Sequence, residues 1–161
     1  MRIKVESLED TQKLAQIFAS CINKKGLFAT LTGDIGAGKT QFIRFVLKFL
    51  EVKDSITSPS FVILNEYKTD KFPIYHFDLY RLEKNGLNSI VNELREYSKE
   101  GKVTFIEWAE FGQEEIPKNA LKIKVEYDNE NLDIRYYSFE SLDNNFYREF
   151  EKKVNNEYTK H

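Results

Sequence analysis

Apolar residues recur along this chain with two periods, and the changes of period mark its elements. Ser7-Leu8-Glu9-Asp10 has the form of a capping box, and Leu14, Ile17, Phe18, Cys21 and Ile22 follow at helical spacing until Gly26, predicting a first helix over about Leu8 to Lys25. An apolar strand, Phe28 to Thr32, comes next. A second helix begins near Lys39 with a broad stripe of Phe42, Phe45, Val46, Phe49 and Leu50, whose phenylalanines read as core. In the polar connection Ile56-Thr57-Ser58-Pro59-Ser60, Pro59 prevents helix continuation and biases Ser58 toward extended backbone. Phe61 to Tyr67 then reads as a strand. Thr69-Asp70-Lys71 turns it into a second, Ile74 to Tyr80, so an antiparallel hairpin and a mixed sheet are expected.

Leu87, Ile90, Val91, Leu94 and Tyr97 predict a helix ending before Gly101, and Val103 to Trp108 an apolar strand that stops at an acid. Ala120 to Tyr127 and Leu132 to Phe139 alternate as a terminal hairpin around Asp128-Asn129-Glu130-Asn131. From Asn144 to Tyr158, Phe146, Phe150 and Val154 keep helical spacing amid many charges. The expectation is an α/β domain of the P-loop NTPase type. It has three layers, a mixed central β-sheet flanked by helices, in a single domain over 1–161 whose residues from about 144 form a C-terminal helical tail.

Composition narrows the function. The 161 residues suit one domain with a buried core, and 24 basic against 26 acidic residues leave a net charge of −2, so no positive field announces a general RNA binder. A single cysteine, Cys21, on an apolar helical face excludes an intramolecular disulfide or thiolate cluster. No apolar run at the N-terminus is long enough for a signal peptide, and nowhere do about 18 apolar residues run together. A soluble, cytoplasmic chain with no membrane association is expected.

Chemistry concentrates in Gly33-Asp34-Ile35-Gly36-Ala37-Gly38-Lys39-Thr40, a Gly-x4-Gly-Lys-Thr loop between the first strand and the second helix. Its glycines permit positive φ and close backbone approach, so successive N–H groups can form a nest around a nucleotide β-phosphate. Lys39 adds a point charge toward the β- and γ-phosphates, Thr40 a hydroxyl for Mg²⁺, and the helix N-terminus favours negative charge. The bland alternative is a glycine-rich turn without a ligand, but the strand before and the helix after make a chance match rare.

Hydrolysis at such a loop needs acids at strand ends. Glu107 has the setting of a Walker B acid, which holds Mg²⁺ directly, holds it through water, or orients the nucleophile; the residues alone leave these open. Alternation puts His76, Asp78 and Tyr80 on one face of their strand and Phe77 and Leu79 on the other, so the polar trio lines a cleft if the apolar pair faces the core and is a surface otherwise. His76 has no cysteine or nearby histidine to make zinc credible and reads first as a structural hydrogen-bond partner. Trp108, the only tryptophan, either stacks near the nucleotide, forms a partner surface or simply packs. Thr57, Ser58 and Ser60 sit where a loop senses a γ-phosphate, or merely turn the chain.

In this order, the phosphate loop, Thr57-Ser58-Pro59-Ser60-Phe61, Asn65-Glu66-Tyr67, His76-Phe77-Asp78-Leu79-Tyr80-Arg81-Leu82 and Ile106-Glu107-Trp108 resemble the TsaE (YjeE) family, over about residues 27 to 112. That resemblance implies a Mg²⁺-dependent ATPase with ATP and Mg²⁺ as cofactors. It implies action with TsaB and TsaD in forming the threonylcarbamoyl group on adenosine 37 of tRNAs reading codons that begin with A, with tRNA reached only indirectly through those partners. By the same resemblance Lys39 meets phosphate, Thr40 and Glu107 hold Mg²⁺, Asp78 is the catalytic or metal-linked acid, and Thr11, near the start of the first helix, approaches the adenine. Ser60 stands where the family usually has threonine, and the chain after about Ser141 has no family counterpart. The alternatives are a small-molecule kinase, which would need an arginine-bearing lid, and a nucleotide-dependent switch module with negligible turnover. No Asn-Lys-x-Asp sequence is present to recognise guanine.

Overall fold

A computed structural model of the protein describes residues 1–53, 64–80, 94–109, 116–142 and 144–158. The elements are β1 (Arg2–Val5), α1 (Leu8–Cys21), β2 (Leu27–Thr32), α2 (Lys39–Phe49), β3 (Leu64–Lys68), β4 (Pro73–Asp78), β5 (Val103–Glu107), β6 (Leu121–Tyr127), β7 (Arg135–Glu140) and α3 (Asn145–Tyr158). The strands form one seven-stranded sheet in the order β1-β7-β6-β2-β5-β4-β3. Its centre, β6-β2-β5-β4, is parallel, and antiparallel pairs close both sides, so the sheet is mixed as the hairpin signals predict.

Element boundaries differ from the sequence reading in several places, among them β7, which runs from Arg135 to Glu140 and not from Leu132 to Phe139. α1 starts where the capping box puts it, with the Ser7 hydroxyl accepting from Asp10 N–H at 3.1 Å and the Asp10 carboxylate accepting from Glu6 N–H at 3.1 Å. It stops at Cys21 and not near Lys25, because Ile22 is extended and the Asn23 side chain takes the Lys25 N–H at 2.9 Å, offering the backbone a turn that competes with another helical one. β4 ends at Asp78 and not Tyr80, since the Asp78 carboxylate accepts from Tyr80 N–H at 3.1 Å and turns the chain. β1 is an addition: Ile3 and Val5 are buried and the strand pairs with β7, but four residues are too short a run for alternation to announce. The polar connection 56–60, the first residues of the strand expected from Phe61, and Leu87, Ile90 and Val91 lie outside the described residues.

Two apolar clusters cover the sheet's two faces. The larger joins α1, α2 and α3 to Ala29, Leu31, Phe105, Ile123 and Phe139. Its centre is Phe18, whose ring lies 4.8–6.4 Å from those of Phe42, Phe105, Phe139, Phe146 and Phe150. The charged C-terminal helix thus contributes Phe146, Phe150 and Val154 to the main core. On the other face Phe77, Leu79, Ile106 and Ala109 pack with Leu94, the first of the described helical residues 94–97.

Candidate phosphate site at the ends of the parallel strands

β2 leads into the glycine loop and α2 leads out of it, so the loop sits over the C-terminal ends of the parallel strands, where such sheets bind ligands. Two of its glycines are required. A Cβ on Gly33 would lie 2.2 Å from the Val125 carbonyl oxygen, and Gly38, the residue before α2, is left-handed at φ 108°. Asp34 and Ile35 form the exposed tip, and the turn is closed by Ala37 N–H donating to Asp34 O at 3.1 Å.

Lys39 is 5% exposed. Its ammonium donates to the carbonyls of Gly33 and, at 3.1 Å, Asp34, and it lies 3.8 Å from the centre of the Trp108 ring. Trp108 has a positive φ of 60°, uncommon for a residue with a bulky side chain, and its N–H donates at 3.1 Å to the carbonyl of Leu31, the last β2 position paired with β5. The Tyr80 ring lies 4.9 Å from it. Trp108 is therefore at the site, against the loop lysine.

Thr40 Oγ1 donates to Glu107 Oε1 at 2.6 Å, and His76 Nε2 lies 2.5 Å from Glu107 Oε2. Asp78 is the register partner of Glu107 on the neighbouring parallel strand, which puts the two acids side by side on one face. Burial by itself pushes the Glu107 carboxyl up, but the hydrogen bond and charge of His76, the Thr40 hydroxyl and the Lys39 ammonium outweigh it and hold the group below its ordinary value. Asp78 and Tyr80 line a cleft of about 310 Å³ with Gly36 to Gln41, Glu107 and Trp108. The polar trio thus divides: Asp78 and Tyr80 reach the cleft, while His76 is buried beneath it.

A second hollow of about 510 Å³ opens on the other side of the loop, lined by Ser7, Thr11, Gly36 to Gly38, Arg135 and Tyr137. Thr11, on the first turn of α1, is brought there by the Ser7 cap. Arg135 Nε donates to Ala37 O at 3.0 Å, tying the loop to β7, and burial pushes the Tyr137 hydroxyl up to about 12 despite Thr11 and Arg135. The sequence reading did not single out Arg135 or Tyr137. The signal was there: Arg135 shares a strand face with the buried Tyr137 and Phe139, so it is a cation on an otherwise apolar face.

Thr57, Ser58 and Ser60 lie outside the described residues. Among the described residues no three His, Cys, Asp or Glu side chains converge to hold a metal, and no helix is long and apolar enough to cross a membrane. The donor set present, a hydroxyl and one or two carboxylates beside a phosphate-type loop, is the kind Mg²⁺ takes when phosphate oxygens complete its shell.

Known proteins match this arrangement. The chain is 35% identical to the tRNA threonylcarbamoyladenosine biosynthesis protein TsaE of Bacillus subtilis, with 73% of this chain and 72% of that one covered. It is 30% identical to the protein of the same name from Haemophilus influenzae, covering 86% and 87%. A crystal structure of Bacillus subtilis YdiB superposes with a TM-score of 0.71 at 28% identity over 98% of this chain and 95% of that one, so the stretch after Ser141, expected to lack a counterpart, has one in that structure. The model of the family described as threonylcarbamoyl adenosine biosynthesis protein TsaE matches residues 5–135, a span that includes the glycine loop, Asp78 and Glu107, and the chain belongs to the TsaE family.

Proposed function

We propose that this protein is a Mg²⁺-dependent ATPase that supports formation of the threonylcarbamoyl group on adenosine 37 of tRNA, working with TsaB- and TsaD-type partners in the cytoplasm. The observation that carries the reading is the Thr40–Glu107 pair at 2.6 Å, set at the mouth of the glycine loop with Asp78 directly across the strands. The printed names of its relatives supply the tRNA modification.

Each residue has a task that follows from its position. The loop N–H groups from Gly33 to Thr40 would bind phosphate oxygens, and Lys39, which here rests on two carbonyls and the Trp108 ring, would turn to the β- and γ-phosphates. Thr40 and Glu107 hold Mg²⁺, whose chemistry is to offset charge on the transferring phosphoryl group. Asp78, beside Glu107 and open to the cleft, would orient the attacking water or help Glu107 hold the cation. Thr11, Arg135 and Tyr137 enclose the nucleoside in the second hollow. The net charge of −2 agrees with tRNA being held by the partners.

The test is steady-state ATP hydrolysis with Mg²⁺ by this protein alone and with TsaB and TsaD from the same source. Partner stimulation that Lys39→Ala abolishes is expected. Tight ATP binding with no turnover under any of these conditions would replace the ATPase reading by that of a switch module.

A further inference from the structure

The phosphate-site reading gives tasks to Lys39, Thr40, Asp78 and Glu107 but none to His76. That ring is 5% exposed and is not among the residues lining the cleft. On β4 its register partner is Phe105, so it meets Glu107 diagonally across the parallel pair, and its Nε2 lies 2.5 Å from Glu107 Oε2. With Oε1 already accepting from the Thr40 hydroxyl, the 2.5 Å contact at Oε2 is an imidazole nitrogen facing a carboxylate oxygen, and the geometry makes His76 Nε2 the donor.

The two oxygens of Glu107 are thereby turned to different neighbours. Oε2 takes the histidine beneath the cleft, and Oε1 takes the Thr40 hydroxyl on the first turn of α2. The terminal torsion of a glutamate is broad, so without a donor on Oε2 only the Thr40 hydroxyl, the bond that the cation displaces, sets the plane of the carboxylate. An apolar side chain at position 76 would also leave a buried oxygen unsatisfied, and the carboxylate would rotate or take a proton. We propose that His76 is a positioning residue that pins Glu107 through Oε2, so that Oε1 alone is presented, beside Thr40, to the Mg²⁺ of a bound nucleotide. This rests on the Mg²⁺–nucleotide reading above. The pinning bond stays when the cation binds, whereas the Thr40 hydrogen bond gives way to it.

The test uses the full chain and ADP, titrated calorimetrically with Mg²⁺ and with a chelator. His76→Leu should lose about tenfold of the Mg²⁺-dependent gain in ADP affinity, the scale on which a partner that orients a metal ligand acts, and keep the affinity measured in chelator. His76→Gln, whose amide can still donate to Oε2, should recover most of the loss, which a merely structural role would not predict. In a Glu107→Gln background, His76→Leu should cost nothing further. A full Mg²⁺ response in His76→Leu overturns the proposal. A wild-type protein without any Mg²⁺ response, unchanged by Glu107→Gln, overturns the underlying reading and this proposal with it. Should His76→Leu not fold, the wild type decides alone. The sequence has two histidines, and imidazole ¹⁵N spectra should show His76 protonated at Nε2, with that proton retained when Mg²⁺ and ADP are added. An Nε2 without a proton overturns the proposal.

Discussion

Glu107 is 2% exposed and ionised, an arrangement that stands only because donors meet both of its oxygens. Its carboxyl is held below its ordinary value, so its contribution to stability is fully present above the unfolded value, near 4.3, and is lost as pH falls through the lowered folded one. Glu107→Gln should therefore flatten the acid limb of a stability-versus-pH curve below about pH 4.3, measured by urea unfolding. Tyr137 has the opposite sign. Its hydroxyl is pushed up to about 12, so the folded state keeps its proton while the unfolded chain loses it near 10, and stability falls as pH rises between the two. Tyr137→Phe should remove that fall, roughly 2–3 kcal/mol, in alkaline unfolding experiments. At this scale the sequence was partly legible. Lys39, Thr40, Asp78 and Glu107 were marked by motif and strand ends, and the structure brings them together. His76 reads from sequence as a structural hydrogen-bond partner, but alternation assigns a face and not depth, and the identity of its partner, Glu107, was hidden because the bond crosses between strands 31 positions apart. The placement of Trp108 depends on a left-handed backbone at φ 60°, which no residue type announces except glycine.

Among the elements, the loop is where local geometry and packing meet. Gly33 and Gly38 both have positive φ, but they differ in what surrounds them. A Cβ at Gly33 would strike a backbone oxygen of β6 at 2.2 Å, whereas at Gly38 its nearest neighbour would be the Tyr137 hydroxyl at 3.5 Å. Gly38→Ala should therefore cost only the backbone strain of a left-handed residue, about 1–2 kcal/mol. Gly33→Ala must in addition push β2 from β6, and its urea midpoint should fall further, with nucleotide affinity falling in parallel. Equal midpoints would mean that the β2–β6 contact yields easily. The helices and hairpins were legible because each carries several periods of apolar pattern, as Phe42, Val46 and Phe49 do in α2. The end of α1 was not, since the side chain of Asn23 competes with the helix at a point where the apolar spacing still continues through Ile22. β1 needs β7 to exist, a contact between chain ends that no local pattern carries.

Across the whole molecule, the site and the largest cluster of aromatic side chains use the same sheet differently. Polar residues gather at the C-terminal ends of β2, β4 and β5, while α1, α2 and α3 bury Phe18, Phe139 and Phe150 on one face. α3 follows the last strand and, among the described residues, supplies none that line the phosphate cleft, yet Phe150 is fully buried, 5.3 Å from Phe18 and 4.8 Å from Phe139. If the helix serves the fold and not the chemistry, Phe150→Ala separates the two. Truncating a buried phenylalanine typically costs 3–5 kcal/mol, a large share of the total stability of a domain this size. The urea midpoint should drop accordingly, while the folded protein at low temperature keeps the nucleotide affinity of the wild type, because Lys39, Thr40 and Glu107 are held by β2, β5 and the first turn of α2. A loss of affinity out of proportion to the unfolded fraction would instead show that α3 sets the position of α2 through Phe18 and Phe42, whose rings meet at 5.3 Å, and that the C-terminal helix acts on the site through the core.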